Sequence, residues 1–270
     1  MDDFLLCLNT STIRPAGLME KIGVAAETGW PAVELWLDDV IAYCASGGSV
    51  RDVVRALDDA GLVLPSVIAL KYWSGTHGAE RDAAMEEVRR RLDLAAALGA
   101  PSVVVTPTEH REPIEETGRR YGELLALGEK VGVRPSFEFI GRFEQYNNIS
   151  ISLEAMRATG RDDTRIVVDA FHIHRGEGEI ADLEKVPMDR ISIFHIDDAP
   201  AHPPRETQLD KDRVMPGDGV IDLPAVVRRL REGGYAGAVS LELFNETYWA
   251  RDPREVAREG LAKTRAVLSA

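Results

Sequence analysis

Ile166-Val167-Val168-Asp169 is the stretch that decides the fold, because an apolar run of strand length ends here on a carboxylate. A strand that is apolar on both faces is typical of a parallel sheet covered by helices. Similar runs recur along the chain, each followed by a longer segment with helical spacing. The predicted strands are approximately Phe4–Leu8, Ala32–Leu37, Leu64–Ala69, Ser102–Thr106, Pro135–Phe139, Ile166–Asp169, Ile191–Ile196 and Val239–Leu243.

The segments between these runs carry helix start and stop signals of their own. Ser49-Val50-Arg51-Asp52 resembles a capping box, and Gly61 supplies the stop. Between about Arg81 and Leu98, apolar residues recur at steps of three and four, as on the buried stripe of a surface helix. Further helices are predicted from Pro113, in the first turn, to about Val131-Gly132, after Ser152, after Asp222-Leu223-Pro224 up to Gly233-Gly234, and from about Pro253.

Eight β-α units favour a closed barrel over an open doubly wound sheet. The first β-α turn, Asn9-Thr10-Ser11-Thr12, has no GxGxxG motif, and the sequence contains no phosphate-binding P-loop. No linker or low-complexity segment divides the chain, and a barrel of this size can form around one core. The predicted fold is therefore α/β, a single (β/α)8 TIM barrel that forms one domain over residues 1–270.

Composition limits the classes of partner. The 270 residues carry a formal net charge of -13, which repels polyanions, and no basic cluster reverses this field. Nucleic acid and membranes are therefore not expected as partners. The apolar run after Met1-Asp2-Asp3 is too short for a signal peptide or a membrane span, so we expect a cytoplasmic protein. Cys7 and Cys44 have no CxxC spacing and encode neither a thiolate metal site nor a disulfide framework.

Four successive predicted strands end on side chains that can bind a metal, namely Glu138, Asp169, His195 and Glu242. The carboxyl ends of barrel strands form one face, so these side chains would converge. Unpaired charges there would be costly, and a divalent cation would compensate them. An oxygen-rich set with one nitrogen suits Mn²⁺ first, then Mg²⁺ or Co²⁺, with Zn²⁺ as a further alternative. Taken singly, each residue could equally be a strand-end ion pair or a packed histidine.

The four residues resemble the metal set of the xylose isomerase-like TIM barrels, often called sugar phosphate isomerases/epimerases. This family includes ketose 3-epimerases, hydroxypyruvate isomerases, inosose dehydratases and the DNA-repair endonuclease type IV. The resemblance covers essentially the whole chain. It implies that Glu138, Asp169, His195 and Glu242 hold one metal ion. It also implies that the two glutamates act as acid and base on opposite faces of the substrate.

Two further motifs are similar to those of the sugar-converting members. Asp169-Ala170-Phe171-His172 matches an Asp-x-x-His motif, which implies that His172 hydrogen-bonds substrate oxygens beside the metal. Arg213, followed by Pro216-Gly217-Asp218-Gly219, matches a substrate-orienting arginine, although a solvated arginine in this charged loop is an equal alternative. The DNA-repair members have a histidine directly after an Asp-Arg pair, where this chain has Val214. A multi-zinc nuclease is therefore not expected.

Other residues near the predicted mouth of the barrel fall into two groups. The polar residues assigned no functional role are His174, Asp197, Asp198 and His202. The candidates to line the substrate site are Trp36, Lys71, Tyr72, Trp73, Thr106, Thr108 and Trp249. For Trp36 and Trp249, packing within the barrel or against a helix is an equal alternative. Aromatic faces suit the C–H surfaces of sugars.

The resemblance implies a metal-dependent isomerase or epimerase of a ketose or related polyhydroxy carbonyl compound. The metal would stabilise an enediolate while Glu138 or Glu242 moves the proton. A dehydratase of an inosose-like or dehydroshikimate-like keto-polyol is the first alternative, and a non-catalytic sugar-binding subunit is the second. The expected substrate is a small carbohydrate-like molecule; its phosphorylation and the assembly of the chain into a homodimer are left open.

Overall fold

The computed structural model describes residues 4–176 and 178–270, and within these ranges eight parallel strands close into a barrel in chain order. Each strand pairs with the next, and the first pairs with the eighth. The strands are β1 (Leu5–Asn9), β2 (Ala32–Trp36), β3 (Val67–Leu70), β4 (Ser102–Val105), β5 (Arg134–Glu138), β6 (Ile166–Asp169), β7 (Ile191–Ile196) and β8 (Ala238–Leu241). The predicted TIM barrel is therefore confirmed.

Helices connect the strands and pack around the barrel. They are α1 (Leu18–Glu27), α2 (Leu37–Ala45), α3 (Val50–Ala60), α4 (Gly78–Ala97), α5 (Ile114–Val131), α6 (Ile149–Ala158), α7 (Ala170–Arg175), α8 (Leu223–Glu232), α9 (Glu246–Trp249) and α10 (Pro253–Leu268). Among the described residues, no helix combines the length and the apolar composition that crossing a bilayer requires.

The predicted capping box of α3 is present. The Ser49 side chain accepts a hydrogen bond from the backbone N–H of Asp52, and the Asp52 carboxylate accepts one from the N–H of Ser49 at 3.0 Å. Gly61 follows the helix with φ of 64°, in the left-handed region that a residue without Cβ adopts at little cost. Local capping chemistry therefore fixes both ends of α3.

Several predicted boundaries are wrong for local reasons. The helix expected after Ser152 begins at Ile149, because the Asn148 side chain accepts from the N–H of Ile151 at 3.1 Å and caps it earlier. Pro113 precedes α5 and does not lie in its first turn. The third strand, expected from Leu64, begins at Val67. Its predicted start contains Pro65, which has no N–H to donate to a strand ladder.

Inside the barrel, a layer of apolar side chains lies directly before the polar strand ends. This layer consists of Cys7, Ala32, Ile68, Ala69, Val104, Val167, Ile193 and Ala238. Side chains two positions further along a strand point to the same face. The strand pattern therefore places a polar layer beyond the apolar one, and its members include Asn9, Glu34, Asp169, His195 and Ser240.

Candidate metal centre

The polar layer contains the four residues predicted to bind a metal. Glu138 ends β5, Asp169 ends β6, His195 is the next-to-last residue of β7, and Glu242 directly follows β8. One potential ligand atom from each lies within 4.8 Å of the other three. All four side chains are buried. The barrel therefore brings together every member of the predicted set, although the four are far apart in the chain.

The His195 ring is oriented to present one nitrogen to the carboxylates. Its Nδ1 lies 3.2 Å from Glu138 Oε1, 3.3 Å from Glu242 Oε2 and 3.7 Å from Asp169 Oδ2. This nitrogen is buried and has no hydrogen-bond partner among the described residues. Three carboxylate oxygens around an unpartnered imidazole nitrogen are a donor set that fits a divalent cation.

Glu34, in the middle of β2, contacts the other side of the His195 ring. Its Oε2 lies 3.1 Å from His195 Nε2 and accepts hydrogen bonds from Asn9 Nδ2 at 2.9 Å and Ser240 Oγ at 2.8 Å. A carboxylate at this position holds the proton on Nε2 and leaves Nδ1 free as a ligand. Sequence analysis overlooked Glu34, although it is a lone charge in an apolar strand, the same signal that identified the other residues.

We expect Glu34→Gln to weaken Mn²⁺ binding by about 10–100-fold, the usual effect of losing a carboxylate that orients a histidine ligand. An amide can still fill the space, but it no longer compels Nε2 to carry the proton. Isothermal titration calorimetry with Mn²⁺ measures the change. Glu112→Gln is the matched control, since Glu112 is also buried but bonds Thr117 and Gly75 instead. Equal Mn²⁺ affinity in the two variants would contradict the assigned role of Glu34.

Arg213 lies in the centre, not in solvent, with 1 % of its side chain exposed. Its Nη1 donates to Asp169 Oδ2 at 2.8 Å and to Glu242 Oε2 at 3.0 Å, and it also contacts Asp197. Its Nη2 donates to Asp210 Oδ1 at 2.9 Å. The solvated alternative for Arg213 is wrong. Asp197, which was assigned no functional role, is ion-paired with the guanidinium that also bonds two of the predicted ligands.

Burial and Arg213 give the carboxylates different pKa values. Burial acts to raise the pKa of Asp169, but the positive charge of Arg213 outweighs it and holds that pKa well below its usual range. Burial raises the pKa of Glu138, with which no arginine or lysine of the described chain is paired. Burial raises the pKa of Asp197 as well, and the adjacent Asp169 charge adds to the effect. Asp169 is thus held as an anion, whereas Glu138 binds a proton more readily.

His172 lies beside Arg213, and its contacts define its tautomer. The ring Nε2 is 3.2 Å from Arg213 Nη2, and a guanidinium can only donate, so Nε2 accepts. The proton of the neutral ring is therefore on Nδ1. That atom is buried without a partner among the described residues, as is Nε of Arg213. Two hydrogen-bond donors of the centre are thus available to a ligand.

Asp198 holds the loop that carries Arg213. Its carboxylate accepts four backbone hydrogen bonds, from Ala199 (2.8 Å), Gly217 (3.0 Å), Gly219 (3.0 Å) and Ile221 (2.9 Å). A Cβ on Gly219 would lie 2.2 Å from the carbonyl oxygen of Ala199, so the loop requires glycine there. Asp198, which was assigned no functional role, thus has a structural one, because it fixes the shape of this loop.

The residues predicted to line the mouth have unequal exposure. Trp73 is fully buried and packs against Tyr121 and Phe137, so it belongs to the core. Tyr72 is 73 % exposed. The half-buried members are Trp36, Thr106, Thr108 and Trp249, and Lys71 is exposed. Of the two remaining histidines assigned no role, His174 is half-buried and His202 is exposed.

Known proteins share this architecture. Residues 22–267 match the family model described as a xylose isomerase-like TIM barrel. The chain is 28% identical over 272 aligned positions to an inosose isomerase of Halalkalibacterium halodurans, across 98% of this chain and 96% of that protein. It is 26% identical over 248 positions to a 3-dehydroshikimate dehydratase of Pseudomonas aeruginosa, across 90% of this chain and 39% of that protein. A crystal structure of the IolI protein with a bound zinc atom matches with a TM-score of 0.92 at 25% identity, across 98% of both chains.

Proposed function

Since the chain belongs to the xylose isomerase-like TIM barrel family, we propose that it is a divalent-metal-dependent isomerase of a polyhydroxy ketone. The observation that carries the proposal is the convergence of three carboxylates on the unpartnered Nδ1 of His195. A cyclic ketone of the inosose type is the first candidate substrate, because an inosose isomerase aligns over nearly the full length of both chains.

We propose that Glu138, Asp169, His195 and Glu242 hold the cation. The oxygen-rich donor set favours Mn²⁺, and Zn²⁺ is the alternative, given the zinc atom in the IolI protein. When bound, a divalent cation polarises a carbonyl oxygen and its neighbouring hydroxyl, which makes the intervening C–H more acidic.

Glu138 is the proposed base that moves the proton. It lacks the donors that hold Glu242, whose Oε1 accepts from Asn9 Nδ2 at 3.0 Å and whose Oε2 accepts from Arg213. Transfer of a carbonyl to the next carbon needs one base on carbon, which removes the C–H proton and returns it to the neighbouring carbon on the same face, while the hydroxyl proton passes to the former carbonyl oxygen. Epimerisation needs a second group on the opposite face, and Glu242 would have to supply it. The unequal surroundings of the two glutamates therefore favour isomerisation.

His172 and Arg213 are proposed to hold the substrate. The Nδ1–H of His172 and the Nε–H of Arg213 are the buried donors without protein partners, and hydroxyl or enediolate oxygens would accept from them. Because burial strengthens hydrogen bonds to developing negative charge, these donors would lower the barrier to proton removal.

Dehydration is the second candidate function, favoured by the similarity to a 3-dehydroshikimate dehydratase. The first step would be the same proton removal, after which a β-hydroxyl leaves as water. The candidate site therefore distinguishes the two outcomes only through the substrate that it accepts.

Incubating the Mn²⁺-loaded protein with an inosose in D₂O tests the proposal. We expect the carbonyl to move to the adjacent carbon, with partial deuterium incorporation and no loss of water. Conversion of 3-dehydroshikimate with loss of water into an aromatic dihydroxybenzoate, detected by its ultraviolet absorbance, would instead establish the dehydratase. Glu138→Gln should slow turnover by about 10²–10⁴-fold, the contribution of a general base, whereas Glu112→Gln should not. Binding of an inosose, a ketohexose and 3-dehydroshikimate without exchange or turnover would establish a non-catalytic sugar-binding protein.

A further inference from the structure

Two exposed cations lie against one tryptophan at the carboxyl end of the barrel. The Arg14 guanidinium carbon is 5.5 Å from the centroid of the Trp36 ring, and Lys71 Nζ is also 5.5 Å from that centroid. Arg14 is in addition 5.8 Å from the Trp249 ring. Cation–π contacts of this kind restrain the long side chains without neutralising their charges.

These cations belong to the same mouth as the candidate metal centre. Trp36 ends β2, and Lys71 directly follows β3. Trp36 Nε1 donates to Asn9 Oδ1 at 3.0 Å, and Asn9 Nδ2 donates to Glu242 Oε1 at 3.0 Å. One asparagine thus links the ring that carries both cations to a predicted metal ligand.

A shallow recess of about 20 Å³ opens beside Arg14, and its lining includes Trp36, Asp38 and Asp39. Both aspartates are already paired, Asp38 with Arg91 at 2.5 Å and Asp39 with Lys21 at 2.7 Å. Neither Arg14 nor Lys71 has an ion-pair partner within residues 4–176 and 178–270. The mouth therefore presents two restrained positive charges that no carboxylate of the described chain compensates.

The charge balance of the buried centre indicates what Arg14 and Lys71 could do. Its carboxylates are Glu34, Glu138, Asp169, Asp197 and Glu242. Arg213 and a divalent cation together supply three positive charges, and these carboxylates take them up. The centre therefore offers little positive charge to an anionic substituent of a substrate, which would need such charge at the entrance. A neutral sugar would need no such compensation.

We propose that Arg14 and Lys71 form a subsite for an anionic substituent, a carboxylate or a phosphate, on the substrate of this centre. This inference rests on the proposed function, and it extends the candidate substrates from the neutral inosose type to polyhydroxy ketones that carry an acidic or phosphorylated substituent. The ring of such a substrate would lie between the metal set and Trp36. Its anionic group would receive charge-assisted hydrogen bonds from Arg14 and Lys71.

Calorimetric titration of the Mn²⁺-loaded protein with three unreactive cyclic polyols tests the subsite. The probes are myo-inositol, which is neutral, quinate, which carries a carboxylate, and myo-inositol 1-phosphate. We expect at least one anionic probe to bind about tenfold more tightly than myo-inositol, as two charge-assisted contacts allow. The difference between quinate and the phosphate identifies the preferred anion.

Substitutions of Arg14 and Lys71 test whether these residues cause the preference for anionic probes. Arg14→Gln combined with Lys71→Gln should remove it and leave myo-inositol binding unchanged. As a control, Arg51→Gln combined with Arg55→Gln removes the same amount of charge from the exposed side of α3 and should preserve the preference for anionic probes. An equal affinity for all three probes, or binding of none, would overturn the subsite. The inosose exchange experiment tests the proposed function separately, so either hypothesis can fail without the other.

Discussion

Replacing Glu138 and Glu242 together with alanine is expected to abolish stoichiometric Mn²⁺ binding. The pair supplies two of the three carboxylates around His195 Nδ1, and the remaining Asp169 is already bonded to Arg213. One shared carboxylate and one imidazole do not make a competitive site for a hard cation. Measuring the metal content after dialysis and the Mn²⁺ titration by calorimetry gives the result directly.

The thermal stability of the same variant distinguishes loss of the site from loss of the fold. A metal that binds only the folded protein stabilises it by about 2.7 kcal/mol at a free concentration of 100 times its Kd. Added Mn²⁺ should therefore raise the Tm of the wild type and not that of the double variant. Glu116→Ala combined with Glu123→Ala removes the same charge from α5 and should retain the shift. Stoichiometric Mn²⁺ in the Glu138/Glu242 variant would show that the metal binds elsewhere.

The sequence allowed the metal set to be predicted because strand geometry is local and repetitive. The runs that contain Asp169 and His195 were predicted with the observed bounds, and these two residues are paired across β6 and β7. The rule that barrel strands end on one face then suffices to bring the predicted set together. No knowledge of the loops is needed for this step.

The surroundings of the metal set could not be predicted in the same way. Arg213 reaches the centre from a loop whose shape depends on Asp198 and on two glycines, and no local pattern gives such a shape. Trp73, like Lys71, lies in the segment after β3, but its ring packs against Tyr121 of α5. Contacts between distant segments decide these positions. Glu34 is different: it was overlooked, although alternation along β2 would have been sufficient to identify it.

Arg213→Met is expected to lower the free energy of unfolding of the metal-free protein by about 3–5 kcal/mol, because it leaves a cluster of buried carboxylates without its cation. Arg213 Nη1 bonds Asp169 and Glu242 and contacts Asp197, so no single carboxylate can move away to relieve the repulsion. Methionine fills much of the volume of the arginine side chain. The decrease in the free energy of unfolding therefore reflects the lost charge more than lost packing. Urea denaturation in EDTA at neutral pH measures it.

The pH dependence and a second substitution test that explanation. The depressed pKa of Asp169 stabilises the wild type above the ordinary aspartate pKa, and this contribution is lost as the pH falls through the depressed value. The difference between wild type and Arg213→Met should therefore be largest near neutrality and shrink in acid. Adding Asp197→Asn to Arg213→Met should recover about 1–2 kcal/mol, because a buried carboxyl group whose ionisation is unfavourable without Arg213 is replaced by a neutral amide. A loss that is independent of pH and unaffected by Asp197→Asn would mean that Arg213 stabilises the barrel by packing, and that the carboxylates of the centre do not need its charge.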